Sequence, residues 1–205
     1  SPENPADGNG LYGSPYTTEQ KDIPHYEFVD IDPSGSPATG LYSDKPQTVI
    51  YRYKGEEVGE AGKITIEYRN QAGTLLDTAY ITGIYGQPYN VATDNNGELL
   101  KDFDHYTRNE LPGNSVGTVT DMPQTVVITY TGELVGNEAG AVVARYVNQE
   151  GVAIAEEKAA DGDKLYGSPY TTEQKTIPNY DFVKLAENGA PATGFYTNEP
   201  QTVIY

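Results

Sequence analysis

Leu11-Tyr12-Gly13-Ser14-Pro15-Tyr16-Thr17-Thr18-Glu19-Gln20-Lys21 returns unchanged as Leu165–Lys175, and a looser copy, Tyr85-Gly86-Gln87-Pro88-Tyr89, lies between them. A second marker, Pro-Gln-Thr-Val, begins at Pro46, Pro123 and Pro200, a constant step of 77 residues. A fixed period is the mark of one supersecondary unit used in tandem. It divides the 205 residues into small units and rules out a single large core. The repeats are read as 1–54, 62–131 and 140–205, with linkers at 55–61 and 132–139. The first begins late: only Pro2 to Asn9 precede its Tyr-Gly block, where the other two place a hairpin. The chain reads as a segment of a longer protein.

The middle repeat displays the whole pattern. Ile64, Ile66 and Tyr68 alternate with Thr65, Glu67 and Arg69, the period of a half-buried strand. Asn70-Gln71-Ala72-Gly73 is a turn, and Leu75 to Thr82 a second strand, which makes a hairpin. Val142, Ala144 and Tyr146 with Asn148-Gln149-Glu150-Gly151 repeat it. Thr17 with Gln20 and Thr171 with Gln174 match a capping box, which predicts one or two helical turns, ended by Pro24 and Pro178. Strands are expected to resume at Tyr26–Ile31 and Tyr180–Leu185, at Thr39–Tyr42, and after Pro46. This order predicts an α+β, β-rich fold, a tandem array of ubiquitin-like β-grasp-type repeats forming an elongated rod. All-β sandwich repeats are the alternative. The short, similar linkers favour a stiff array.

Charge and composition narrow the function. The formal net charge of −17 supplies no basic patch for nucleic acid and disfavours anionic membranes. No apolar run approaches a membrane span. The chain has no cysteine, so its small domains need another source of stability than disulfides. A Lys–Asn isopeptide cross-link is one such source, and intact mass would reveal it.

The motifs Gly62-x-Ile64-x-Ile66-x-Tyr68, Tyr-Gly-x-Pro-Tyr-Thr-Thr-Glu-Gln-Lys, Ala-Thr-Gly-x-Tyr and Pro-Gln-Thr-Val-x-Tyr resemble the MucBP (mucin-binding protein) domain of Gram-positive cell-wall-anchored adhesins. The resemblance runs over nearly the whole chain, strongest in the first and third repeats. It implies extracellular display on the bacterial cell wall and non-enzymatic adhesion to mucin or other host glycoproteins. Immunoglobulin is a further partner within the family. A structural stalk or spacer is the alternative role. A monomer is expected, with the incomplete first repeat offering a sheet edge for strand pairing.

No catalytic residue is assigned and no cofactor is expected. Nucleophilic mechanisms want a Ser or Cys beside a base; the two histidines, His25 and His105, share one repeat position at which the third repeat has Asn179. That interchange fits a turn. Of the 18 tyrosines, all but Tyr80 fall into sets that recur between repeats, as a thin core requires. Tyr42 and Tyr196 are the candidates for ligand binding, because the rings offer an apolar face and a polar tip and Leu41 and Phe195 flank them. Asp94, Asn96 and Glu98 form a faint calcium-loop pattern that lacks the EF-hand glycine and glutamate spacing; a solvated loop is the simpler reading. Mucins are themselves anionic, so binding to them is expected to strengthen as pH falls toward the isoelectric point near 4.3.

Overall fold

The computed structural model describes residues 4–135 and 140–205. The strands in chain order are β1 (Pro15–Thr17), β2 (Tyr26–Ile31), β3 (Thr39–Leu41), β4 (Tyr51–Gly55), β5 (Ile64–Asn70), β6 (Leu75–Ile81), β7 (Pro88–Asn90) and β8 (Tyr106–Arg108). They continue as β9 (Val116–Thr118), β10 (Gln124–Gly132), β11 (Val142–Val147), β12 (Ala153–Ala159), β13 (Pro169–Thr171), β14 (Thr193–Phe195) and β15 (Gln201–Ile204). The fold is β-rich. Among the described residues the helical content is two 3-10 turns, Asp94–Gly97 and Gly113–Ser115.

Two compact units emerge. One takes in Ser1–Ile64, Ile81–Tyr89 and Gly117–Gln124; the other Thr65–Tyr80, Asn90–Val116 and Thr125–Tyr205. In the first unit β1 pairs with β3 and β2 with β4, both antiparallel. In the second, one sheet has the order β6-β5-β10-β8 and another the order β12-β11-β15. There β11 lies antiparallel to β12 and parallel to β15, and β13 pairs with β14.

The alternation seen in the sequence becomes burial. Ile66, Tyr68, Ile128, Tyr130, Ala144 and Tyr146 are buried, while their strand neighbours are partly or fully exposed. The hairpin turns work as the sequence implies. Asn70 Oδ1 accepts from the N–H groups of Ala72 and Thr74 at 3.0 and 2.9 Å, and Asn148 Oδ1 accepts from Glu150 and Val152 at 3.2 and 2.9 Å. An Asx side chain thus supplies the acceptors a tight turn needs.

The expected helical turns do not form. Thr17 and Thr171 end strands β1 and β13, and the residues after them are irregular. Long-range partners have taken the groups a helix would use. Thr18 N–H and Oγ1 donate to Ala38 O at 2.8 and 3.1 Å, and its hydroxyl meets Tyr51 OH at 2.8 Å. Thr172 repeats this with Ala192 O and Tyr205 OH. Tyrosine hydroxyls then reach the chain just beyond: Tyr53 OH bonds both N–H and C=O of Lys21, and Tyr146 OH donates to Glu173 O at 2.7 Å. In the middle repeat Tyr68 OH donates to Leu99 O and Tyr130 OH to Lys101 O, at 2.8 and 2.6 Å. A capping box is a local preference, and these tertiary bonds override it.

The Tyr180–Leu185 strand is also absent: only Tyr180 makes an isolated bridge, to Ile177. Its first-repeat counterpart, β2, is held by β4. In the third repeat no strand pairs with Tyr180–Leu185 among the described residues.

Candidate functional site

Each candidate tyrosine is turned inward. Tyr196 is 2% exposed; its ring lies 5.6 Å from that of Tyr170, and its hydroxyl donates to Ala160 O at 3.4 Å. Tyr42 is half-buried, 5.5 Å from the Tyr16 ring, with its hydroxyl donating to Ala6 O at 3.4 Å. Because strands alternate their side chains, the residues beside them face out: Leu41 is 59% and Phe195 55% exposed. The apolar surface at this corner therefore belongs to Leu41 and Phe195, and the tyrosines support it from below. Burial raises the phenol pKa of Tyr196, Tyr170, Tyr146 and Tyr130, and pushes that of Tyr68 up to about 12, with the neighbouring Tyr130 and Asp77 adding to the burial effect. These rings are neutral hydrogen-bond donors over the whole physiological range.

Asp94 and Asn96 lie in the 3-10 turn Asp94–Gly97, and Glu98 follows it. Asp94 Oδ2 accepts from the Asn90 N–H at 2.8 Å, Asn96 sits in a left-handed conformation at φ 57°, and the Glu98 N–H closes the turn on Asn95 O at 3.1 Å. Among the described residues, no three acidic or histidine side chains come together in a way that could hold a metal ion.

The arrangement that recurs most closely is one the sequence reading missed. His25, His105 and Asn179 all have φ 66°, a left-handed corner at which Asn and His are enriched among non-glycine residues. Two of these corners meet a later Tyr-Gly block. In the first unit the His25 ring stacks on Tyr85, centroids 4.5 Å apart and 22° between planes, and Tyr26 meets the same ring edge-on at 5.6 Å. In the second unit His105 packs on Tyr166 at 4.8 Å and Tyr106 meets it edge-on at 5.3 Å. The next glycine is needed in both: Gly86 and Gly167 have φ 80° and 75°, and a Cβ on either would meet the hydroxyl of Tyr26 or Tyr106.

The intervening segments are stitched in by main-chain bonds. Glu56 N–H donates to His25 O at 2.9 Å and Tyr85 N–H to Glu56 O at 2.8 Å; Glu133 N–H donates to His105 O at 2.8 Å and Tyr166 N–H to Glu133 O at 2.9 Å. The sequence treats 55–61 and 132–139 as linkers. Their described parts, however, are short pieces of β ladder with Glu57 bridged to Ile84 and Leu134 to Leu165; residues 136–139 lie outside the described residues. An acidic group stands beside each ring: His25 Nε2 is 3.3 Å from Asp121, and His105 Nδ1 is 3.4 Å from Glu133. The second joint is reinforced by Gln71, whose Nε2 donates to Tyr166 O and Ser168 Oγ at 2.9 Å each while its Oε1 accepts from Gly132 N–H at 2.9 Å. The signal in the sequence was the invariant tyrosine after the corner residue, one repeat before a Tyr-Gly.

Comparison with known proteins agrees with the repeat. The MucBP domain matches residues 2–54, 63–131 and 141–205. Internalin J of Listeria monocytogenes serovar 1/2a (strain ATCC BAA-679 / EGD-e) is 32% identical over 96% of this chain and 21% of its own length. Internalin J of serotype 4b (strain F2365) is 31% identical over 96% of the chain and 20% of its length. Internalin I of the latter strain is 27% identical over 82% of the chain. The chain spans about a fifth of the length of the internalin J proteins it matches. Among solved structures, the type 2 repeat of the mucus binding protein MUB from Lactobacillus reuteri aligns with 70% of this chain and 97% of its own, at 14% identity and a TM-score of 0.27. With its three matched repeats covering nearly every residue, the chain belongs to the MucBP domain family.

Proposed function

We propose that this chain is a non-enzymatic adhesion module, displayed on the bacterial cell surface within a longer protein, that contacts mucin-type host glycoproteins. The observation that carries this reading is the threefold MucBP match. The β-grasp-type description of the repeat draws support from β11, which starts a hairpin and runs parallel to the last strand, β15.

With Tyr196 buried and Tyr42 half-buried, little of either ring is open to a ligand. Ligand contact at the β3 and β14 corners falls to Leu41 and Phe195, with Tyr42 and Tyr196 beneath them as supports. A net charge of −17 opposes encounter with sialylated or sulfated chains at low salt. Capture on immobilised mucin should therefore rise between pH 7 and pH 4.5 at matched low salt, and a Leu41→Ser/Phe195→Ser variant should lower it. Equal capture at both pH values contradicts the electrostatic part of this account.

A spacer role is the second reading. It is favoured by the two joints, which repeat the same ring stack and the same main-chain stitch. Absence of mucin capture at either pH supports the spacer, and glycan-independent capture of immunoglobulin would replace mucin with a protein partner.

A further inference from the structure

Tyr80 is the one tyrosine that does not recur between repeats, and it is 53% exposed on β6. That strand is an outer member of its sheet, with β5 on one side and no strand on the other among the described residues. Nor does any described turn or loop make a main-chain hydrogen bond to Leu75–Ile81. The matching strand of the third repeat, β12, is likewise an outer strand. The Asn-x-x-Gly turns at Asn70 and Asn148 align the two, so that Thr78, Ala79 and Tyr80 stand where β12 has Glu156, Glu157 and Lys158.

These three differences remove what protects an edge. An open strand offers unpaired N–H and C=O groups, and charged side chains are a common means of keeping other strands away. On β12 that protection is held in place: Glu157 pairs with Arg145 at 3.4 Å, and Lys158 with Glu173 and Asp161 at 3.2 and 3.6 Å. On β6 the one charged residue is Asp77, and it is engaged inside its own repeat. Its Oδ2 accepts from Lys101 Nζ at 2.6 Å and its Oδ1 from the Thr78 N–H at 2.7 Å. The sequence of β6 also suits pairing with itself. In an antiparallel register centred on Thr78, Leu76 of one copy falls opposite Tyr80 of the other and Asp77 opposite Ala79. The same register in β12 sets Glu156 against Glu156. A Thr–Thr pair is favourable across strands, whereas like charges directly opposite are destabilising; Leu76 and Tyr80 bring apolar surface together.

We propose that the β6 edge is a self-association site, to which a second copy of this chain adds its own β6 antiparallel across a two-fold axis. The contact is isologous, the same patch on both copies. Main-chain bonds along the edge give the affinity and the side chains set the register. A single strand pair is smaller than the roughly 1,200 Å² of a stable complex. The contact is therefore weak between free molecules and grows where copies are crowded, because local concentration then substitutes for affinity. The net charge of −17 opposes the approach of two copies, and at 0.15 M salt that repulsion is screened beyond about 8 Å. Association at β6 strengthens as salt rises, the reverse of a contact made by ion pairs. This inference does not depend on what the module adheres to.

Sedimentation equilibrium of the full chain over a range of protein concentrations, at about 0.02 and about 0.5 M NaCl, tests this. The expected result is a monomer–dimer equilibrium with an association constant at least about fivefold larger at the higher salt. Amide exchange within β6 should slow as protein concentration rises, with β12 amides unchanged. The double variant Thr78→Glu/Tyr80→Lys copies what β12 carries at the matching positions and sets like charges opposite each other at the two-fold. It should lower association at least about tenfold, while β5 and β10 amides keep their protection. If that variant fails to fold, the concentration dependence of β6 exchange in the unaltered chain decides the question by itself. A monomer at every concentration and salt, or a dimer with β6 exchange unaltered, overturns the proposal. So does a dimer that the double variant leaves as strong, or an association that weakens as salt rises.

Discussion

The first and third repeats share an unbroken run of eleven residues and the same Pro-Gln-Thr-Val marker, yet they differ in which of their strands exist. The third repeat forms β15 at Gln201–Ile204 because β11 lies beside it, and leaves Tyr180–Leu185 irregular. The first forms β2 and β4, which pair with each other, and leaves Gln47–Ile50 outside any strand. Near-identical local sequence thus gives opposite outcomes, decided by whether a partner strand is present. Strand propensity measures fit to neighbours more than any intrinsic backbone preference, and here the neighbours are the variable.

The largest effect that would sharpen this comparison is at Tyr146, which is 1% exposed and joins β11 to the ring of Tyr205. Tyr146→Ala should destabilise the third repeat by about 3–5 kcal/mol, read as lost protection of β11 and β15 amides with the β2–β4 pair unaffected. Val203→Ala and Val49→Ala come next. The first empties a fully buried site and should cost roughly 2 kcal/mol, the second less than about 1 kcal/mol. Equal losses in chemical denaturation would break the comparison.

The joints offer a test of intermediate size. Gly86→Ala forces a left-handed conformation and drives a methyl group into the Tyr26 hydroxyl, whereas a Cβ on Gly13 meets nothing within 4 Å. Gly86→Ala should cost about 2–3 kcal/mol and Gly13→Ala only the backbone strain, about 1 kcal/mol. His25→Asn keeps the left-handed corner, at the φ of Asn179, but loses the stack on Tyr85, and should cost about 0.5–1.5 kcal/mol; His25→Val places a β-branched residue at positive φ and should cost more.

Alkaline pH addresses the buried tyrosines. Folding raises the phenol pKa of Tyr68 from the ordinary 10.0 to about 12. A raised folded pKa contributes stability that is fully present below the unfolded value and is lost as pH rises through the folded one. Unfolding free energy should therefore fall as pH climbs from about 10 toward 12, and Tyr68→Phe should flatten that fall.

Much of the fold was legible. The alternation at Ile64, Ile66 and Tyr68 and the Asn-x-x-Gly turns depend on local period and map onto an observed strand and observed turns. The recurrence of the tyrosines marks buried rings at Tyr16, Tyr68, Tyr89, Tyr130, Tyr146, Tyr170 and Tyr196, though Tyr12 and Tyr180 are exposed. The failures were non-local. The capping box at Thr17–Gln20 is a sound local signal, but Ala38 and Tyr51, far along the chain, capture Thr18. Leu41 and Tyr42 are adjacent, and the pairing of β1 with β3 leaves Leu41 59% exposed and Tyr42 half-buried, a facing set by a strand more than twenty residues away. His25 reads as a turn residue from its interchange with Asn179. Its stack on Tyr85, sixty residues away, is non-local, and the local sequence hints at it only through the recurring tyrosine that follows the corner.

Amide hydrogen exchange on the intact chain tests the central claim most directly, comparing Gln47 and Val49 with Gln201 and Val203 after correction for intrinsic rates. Dependence on a partner strand predicts slow exchange at Gln201 and Val203 and exchange at least about a hundredfold faster at Gln47 and Val49, the range expected between a paired strand and a locally open segment. Equal protection of the two pairs would contradict it.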